Sequence, residues 1–339
     1  MNQEFPPRYN LFEKIVHRIT GELRRIYEMT HPNCIPVTSR IVDPDVASDV
    51  IYDRLMDSAP FMIARYGGCE LYSVTNYQGV QKGWRGIVDF IRAKQDPWWW
   101  IKGRLFELSN NAGFFPIQEW ALKQYSELLL EDSRDLDVLA SFCPKEYLVK
   151  DLIEHLPTIS IFLLEPWFST RPWTRALENK NVLVVHPYSE LIEEQYKNNR
   201  EQLFPNSQIL PKFNLKTVKA VQSLGGKSDA FSSWFDALDY MKSEIDKHDY
   251  DICIIGCGAY GFHLAAHVKR MGKKAIHLGG VTQILFGIKG KRWEDPEYCI
   301  PEIGISKGFY TKMFNDYWVK PGDVYRPKNA DSVEGGCYW

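Results

Sequence analysis

The sequence predicts an α/β protein built on a single Rossmann-like, mostly parallel, doubly wound sheet. Three observations predict it. Apolar runs of strand length alternate with segments of helical periodicity along most of the 339 residues, the order that a parallel sheet with helices on both faces requires. Runs such as Asp251-Ile252-Cys253-Ile254-Ile255-Gly256 are almost continuously apolar, as strands buried on both faces are. Glycine-bearing turns follow two of these runs, at Gly67-Gly68 and between Gly256 and Gly261.

Taken in order, the chain begins with a helix predicted over 9–30. Leu11, Phe12, Ile15, Val16, Ile19, Leu23 and Ile26 recur at spacings of three and four, and Lys14, His17, Arg18, Arg24 and Arg25 occupy the other face. Such a basic amphipathic helix suits an anionic membrane surface, and equally well a docking face on the body or on a second subunit. A second helix is predicted over 45–56, started by Asp43 or Asp45. Residues 1–58 therefore read as a helical extension. The body, 59–290, carries predicted strands at 61–66, 137–141, 159–163, 182–186, 208–210, 251–256 and 274–278. Helices are predicted between them at 70–77, 86–92, 118–131, 190–203, 232–247 and 260–271. Seven strands make one sheet. Residues 291–339 are rich in Gly, Pro and aromatics without periodicity, and are expected to wrap over the body.

Composition narrows the function classes. With 41 Lys+Arg against 43 Asp+Glu, the formal charge is −2, which speaks against nucleic acid as a partner. No apolar run approaches the length of a membrane span, and the first residues lack the pattern of a secretion signal, so a cytoplasmic protein is expected. Seven cysteines without a CxxC pair fit neither a disulfide framework nor a structural zinc site. Aromatics make up 14%, with 11 Trp. The Trp98-Trp99-Trp100 run reads either as packing or as a platform for sugars or lipid headgroups.

Two turns carry most of the chemical signal. Gly256-Cys257-Gly258-Ala259-Tyr260-Gly261 is a G-x-G-x-x-G between a strand and a helix, where backbone N–H groups and a helix start favour phosphate. The dinucleotide reading also needs an acid near the end of the next strand. Ala275-Ile276-His277-Leu278-Gly279-Gly280 has none, which disfavours NAD and weakens S-adenosylmethionine. Glycines serving only helix–strand packing are the plain alternative. The second turn, Arg65-Tyr66-Gly67-Gly68-Cys69-Glu70, sets an arginine suited to a phosphate or carboxylate beside a carboxylate at a helix start. Glu70 there suits a metal, a proton acceptor, or mere complementarity to the helix dipole. His186, at another strand end, reads as a ligand contact or a sheet-edge cap. Arg171 beside Trp173, the Asn110-Asn111 amide pair, and Lys216 with Lys219, taken as a stretch of helical spacing, read as ligand contacts or as solvated surface.

The segment Arg65-Tyr66-Gly67-Gly68-Cys69-Glu70 resembles the R-F-G-D-G-E motif of bacterial glycosyltransferases with the GT-D fold. Residues 254–280 resemble that family's second glycine-bearing strand–helix–strand unit, so the resemblance covers roughly 60–287. Residues 256–293, with the Cys337-Tyr338-Trp339 ending, look like proteins of surface-polysaccharide loci, such as those for O-antigen or capsule. The resemblance implies a nucleotide-sugar donor, a UDP-sugar foremost, and an inverting transfer to a glycan acceptor, lipid-linked at the inner face of the membrane. It implies Glu70 as general base, with His186 and His277 in reserve. The donor would lie against Arg65, Gly67, Gly68, Arg171, Lys219, Gly256, Gly258, Tyr260 and Gly261. The family's Mn²⁺ or Mg²⁺ is held by a D-x-E motif. Here Glu70 matches the glutamate and Gly68 stands at the aspartate, so metal binding is expected to be weak or absent. Two rivals stay open: an oxidoreductase acting with NAD or on a nucleotide sugar, and a non-catalytic nucleotide-binding protein of the same fold. A homo-oligomer is compatible with either.

Overall fold

The computed structural model describes residues 5–36, 39–223, 225–300, 304–327, 330–332 and 334–339. Seven parallel strands form one sheet in the order β3-β2-β1-β7-β6-β4-β5. They are β1 (Phe61–Ala64), β2 (Val138–Ser141), β3 (Thr158–Ser160), β4 (Asn181–His186), β5 (Asn214–Lys219), β6 (Ile252–Ile255) and β7 (Lys274–His277). The helices used below are α1 (Leu11–Thr30), α2 (Pro44–Met56), α3 (Gly68–Lys82), α4 (Ile87–Ile91), α5 (Lys102–Asn110), α6 (Glu119–Asp132), α7 (Lys150–Ile153), α8 (Ser189–Leu203), α9 (Trp234–Asp246) and α10 (Tyr260–Arg270). This is the doubly wound, Rossmann-like arrangement that the alternation of patterns predicts.

The two-residue period of each strand builds two cores. Met62 and Ala64, Leu183 and Val185, Cys253 and Ile255 face the layer containing α3, α5, α6, α9 and α10. Phe61 and Ile63, Val182 and Val184, Ile252 and Ile254 face α2, α8 and the tail residues Trp293, Tyr310 and Trp318. Successive side chains alternate faces, so a strand must be apolar throughout when both faces are covered. Away from the sheet, the buried Asp96, between α4 and α5, is tied to Thr75, Arg104 and Lys145.

Two predicted strands differ. The run at 208–210 is a turn, and the edge position of the sheet beside β4 is filled instead by Asn214–Lys219. Lys216 and Lys219 thus lie on an edge strand rather than on a helical stretch. The run at 159–163 leaves the sheet after Ser160 and closes into a 3₁₀ turn, Ile161–Leu164. At the second helix, Asp43 is the cap, accepting from the Val46 amide at 2.9 Å with Pro44 following. Asp45 instead receives the hydroxyls of Ser169 at 2.5 Å and Thr170 at 2.7 Å. The Ser169 and Thr170 hydroxyls, in that order of effect, hold its carboxyl down at about 2. All seven cysteines are free, and no described helix is long and apolar enough to cross a membrane.

The direction of winding reverses between neighbouring strands β4 and β6. From β4 the chain runs through α8 outward to β5, and from β6 through α10 inward to β7. The crevice outside the carboxyl ends of such a pair is where open α/β sheets bind ligands.

Candidate functional site

Two adjoining cavities open at this end of the sheet, of about 110 and 380 Å³. Both are lined by Arg65, Asn111, Ala112, Gly258, Gly280 and Tyr338, so they form two compartments of one cleft. The smaller adds His186, Gly256 and Tyr260, and the larger Gly67, Gly68, Glu70 and Glu165. A groove of about 570 Å³ along α8 and β5 is bigger, but it lies at the outer edge of the sheet and none of the turn residues lines it.

Local sequence explains how the two turns frame the cleft. At β1 the chain passes from Arg65 to Gly67, the N-cap of α3, which has no side chain with which to cap. The Glu70 carboxylate folds over this glycine: a Cβ there would lie 2.1 Å from Glu70 Oε2, so a larger residue would displace the carboxylate from this position. At β6 the three glycines do different work. A Cβ at Gly256 would meet Thr282 Oγ1 at 2.5 Å and the Gly279 carbonyl at 2.6 Å, and one at Gly261 would meet His277 Nε2 at 2.4 Å. Those two are required by packing. Gly258 has φ +58° and open space around it, the left-handed conformation that favours glycine, and it faces both compartments. Ala259, the N-cap of α10, likewise offers no capping oxygen. Helix starts of this kind present backbone N–H groups and positive dipole ends to anions.

Arg65 lies between the turns. Its guanidinium sits 5.4 Å from the Phe142 ring centroid, and its Nε is buried with no hydrogen-bond partner among the described residues. An unmet buried donor of this kind is costly unless a ligand supplies the acceptor. Tyr260 is anchored rather than free to swing. Its ring stacks on Trp234 at 4.8 Å and 5°, and its hydroxyl pairs with Ser223 Oγ at 2.6 Å.

The two reserve histidines separate. His186 lines the smaller compartment and accepts the Tyr188 amide on Nδ1 at 3.0 Å, which leaves Nε2 as the protonated nitrogen of the neutral ring. Burial pushes its pKa down to about 3, so it stays neutral and serves as a hydrogen-bond donor. His277 lies beneath α10 and lines neither compartment, and burial, with Arg65 next in effect, pushes it down to about 3 as well. Arg171 is held away from the cleft, paired with Asp49 at 2.5 Å in the loop that Asp45 clamps. Lys219, at the edge of the sheet, pairs with Glu190 at 2.8 Å. The structure thus gathers Arg65, Gly67, Gly68, Glu70, His186, Gly256, Gly258 and Tyr260. It leaves His277, Arg171 and Lys219 outside, and Gly261 in a packing position.

Residues that the sequence reasoning missed complete the walls. Glu165 is only 4% exposed, lines the larger compartment, and accepts the Tyr310 hydroxyl at 2.7 Å. Burial pushes its carboxyl up to about 8, against a smaller downward pull from that hydroxyl. Across from it, Arg292 stacks over the Tyr338 ring at 4.8 Å. The tail is fixed by Gln283 Nε2, which donates to the Tyr338 carbonyl at 3.2 Å, and by Trp339 Nε1, which donates to Tyr325 at 2.8 Å. The position of Glu165 after a β-strand was a usable signal; the tail offered none beyond its aromatic content. For a divalent metal, Glu70 is the one carboxylate of the first turn. Among the described residues no group of three or more His, Cys, Asp or Glu side chains is arranged to hold an ion.

Compared with protein-family models, with curated proteins and with solved structures, the chain matches none.

Proposed function

We propose that the chain is a glycosyltransferase that binds a nucleotide-sugar donor, a UDP-sugar foremost, in the cleft between the two glycine turns. One observation carries this reading: two helix N-termini without a capping side chain at the N-cap meet at the strand ends with Arg65 between them, its Nε buried and unpartnered among the described residues. A diphosphate supplies the anionic oxygens that such a set of donors accommodates. The likeness of residues 65–70 to the GT-D motif supports the same reading, as does the absence of an acid after β7 at the ribose position of an NAD enzyme.

In this reading the sugar and the acceptor hydroxyl occupy the larger compartment. Glu70 takes the hydroxyl proton as the acceptor oxygen attacks the anomeric carbon. The bond from that carbon to the diphosphate breaks, and Arg65 with the helix-start N–H groups receives the developing charge. His186 contributes a hydrogen bond from Nε2. Mn²⁺ or Mg²⁺, where it takes part, would be held by Glu70 and chiefly by the donor's own phosphates, and would help neutralise the leaving group. The acceptor is a glycan, lipid-linked in surface-polysaccharide synthesis.

Thermal-shift measurements against UDP, GDP, CMP, NAD and S-adenosylmethionine, each with and without Mn²⁺, test the ligand class. Stabilisation by a nucleoside diphosphate is expected, and stabilisation by NAD alone would point to an oxidoreductase instead. Glu70→Gln should keep donor binding and lower turnover about a hundredfold or more. Diphosphate binding by the unmodified chain with no transfer to any lipid-linked acceptor would favour a non-catalytic binding protein.

A further inference from the structure

The N-terminal helix is mounted with its polar side inward. His17 and Thr20 are 9% and 6% exposed, whereas Leu11, Phe12, Ile15, Ile19, Ile26 and Met29 are between 48% and 75% exposed. A helix that stabilises a globular body does the reverse. The orientation is fixed by specific contacts. The His17 ring stacks on Trp99 at 4.3 Å and 9° and meets Trp98 edge-on at 4.8 Å. Arg24 donates to the Gln95 carbonyl at 2.8 Å and to the Tyr147 hydroxyl at 3.3 Å, and the Trp100 amide donates to the Tyr9 hydroxyl at 2.7 Å. Asn10 and Glu13 form a reciprocal capping box that secures the first turn. The Trp98–Trp100 run is therefore spent on seating α1, and is not itself a platform.

The outward strip continues onto the neighbouring element. α1 packs along α4, where Val88 is exposed, and the exposed Trp84 ring lies 4.2 Å from Trp98. Cations border it. Lys14, Arg18 and Arg25 are exposed along one edge of the helix, and Lys82 and Arg85 are exposed beside Trp84. The one acid on the same face, Glu22, lies 3.9 Å from Arg25.

We propose that α1, with Trp84 and Val88, is a membrane-docking surface whose occupant is an anionic phospholipid bilayer, the helix lying in the plane of the headgroups. Charge complementarity selects this occupant. A bilayer with anionic headgroups offers both an acyl boundary for the apolar strip and phosphates for the cationic border. A second copy of the chain would cover the strip but would bring only Glu22 toward those cations. The inference stands apart from the cleft and holds whatever reaction the cleft performs.

Flotation of the full chain with phosphatidylcholine vesicles, and with vesicles of phosphatidylcholine mixed with phosphatidylglycerol, tests it. The chain is expected to float with the mixed vesicles and to do so less in raised salt. Ile19→Glu combined with Ile26→Glu should reduce binding about tenfold or more, and Arg18→Glu combined with Arg25→Glu should abolish the preference for anionic vesicles. These side chains are exposed, and a melting curve verifies that each variant is folded. Failure to float with either vesicle would overturn the proposal, as would equal binding to both. A dimer in sedimentation that Ile19→Glu with Ile26→Glu dissociates, without flotation, would assign the strip to a second copy instead.

Discussion

Asp96 and Glu165 are both buried carboxylates, and they are held in opposite ways. Asp96 accepts from Thr75 Oγ1 at 2.5 Å and Arg104 at 2.6 Å on one oxygen, and from Lys145 on the other. Burial works to raise its pKa, but Lys145 and then Arg104 outweigh it and the net shift is downward. Among the described residues no cation bonds to Glu165; a phenol donates to one oxygen and a cavity lies alongside. Its carboxyl is pushed up to about 8 by burial. A buried charge saturated by cations and a hydroxyl joins elements together, here α3, α5 and the turn after β2. A buried acid with only neutral donors beside open space holds a proton it can exchange near neutral pH.

Three experiments press on that contrast. The largest effect is expected from Asp96→Asn, which leaves Lys145 and Arg104 uncompensated and should cost about 3–5 kcal/mol in urea unfolding. A small loss there would mean that the two acids are not different in kind. Next is the pH dependence set by Glu165. Between the usual carboxylate range and about 8 the folded chain keeps its proton while the unfolded chain releases it, so this group makes stability fall as pH rises across that window. Glu165→Gln should remove that contribution, visible as a flatter plot of unfolding free energy against pH. Smallest is Tyr310→Phe, which deletes the phenol and should cost about 1–2 kcal/mol at a pH where Glu165 is protonated; a cost as large as that of Asp96→Asn would make the pair structural.

What was legible in the sequence follows the same division between covered and open surroundings. Strands buried on both faces, such as β4 and β6, show as apolar runs and were placed within a residue or two. β5 was missed because it is an edge strand. Asn214-Leu215-Lys216-Thr217-Val218-Lys219 has only two apolar residues, three apart and packed one on each face of the sheet, and its lysines passed for a helical stretch while the apolar Ile209-Leu210 nearby drew the assignment. Helix α5 was also missed: its short segment, Lys102–Asn110, buries only Leu105 and Leu108, too few positions to show a period. The glycine turns were legible because local backbone demands are written locally. Arg171 and Lys219 were not, because whether a cation reaches a ligand or an acid depends on partners far along the chain: Asp49 is 122 residues from Arg171. Glu165 and Arg292 come together with Glu70 around the larger compartment only through the sheet order and the tail.

The tail that walls the cleft supplies none of the seven strands. Arg292, Trp293, Tyr298 and Tyr338 line the larger compartment, while β1 and β6, which carry the glycine turns, both pair with β7 without them. The glycine turns with Arg65 and the residues that shape the space beside them thus belong to separately alterable stretches of chain. Changes between 291 and 339 can redraw one wall while the strand pairings that hold Arg65, Glu70 and Gly258 in place are left as they are.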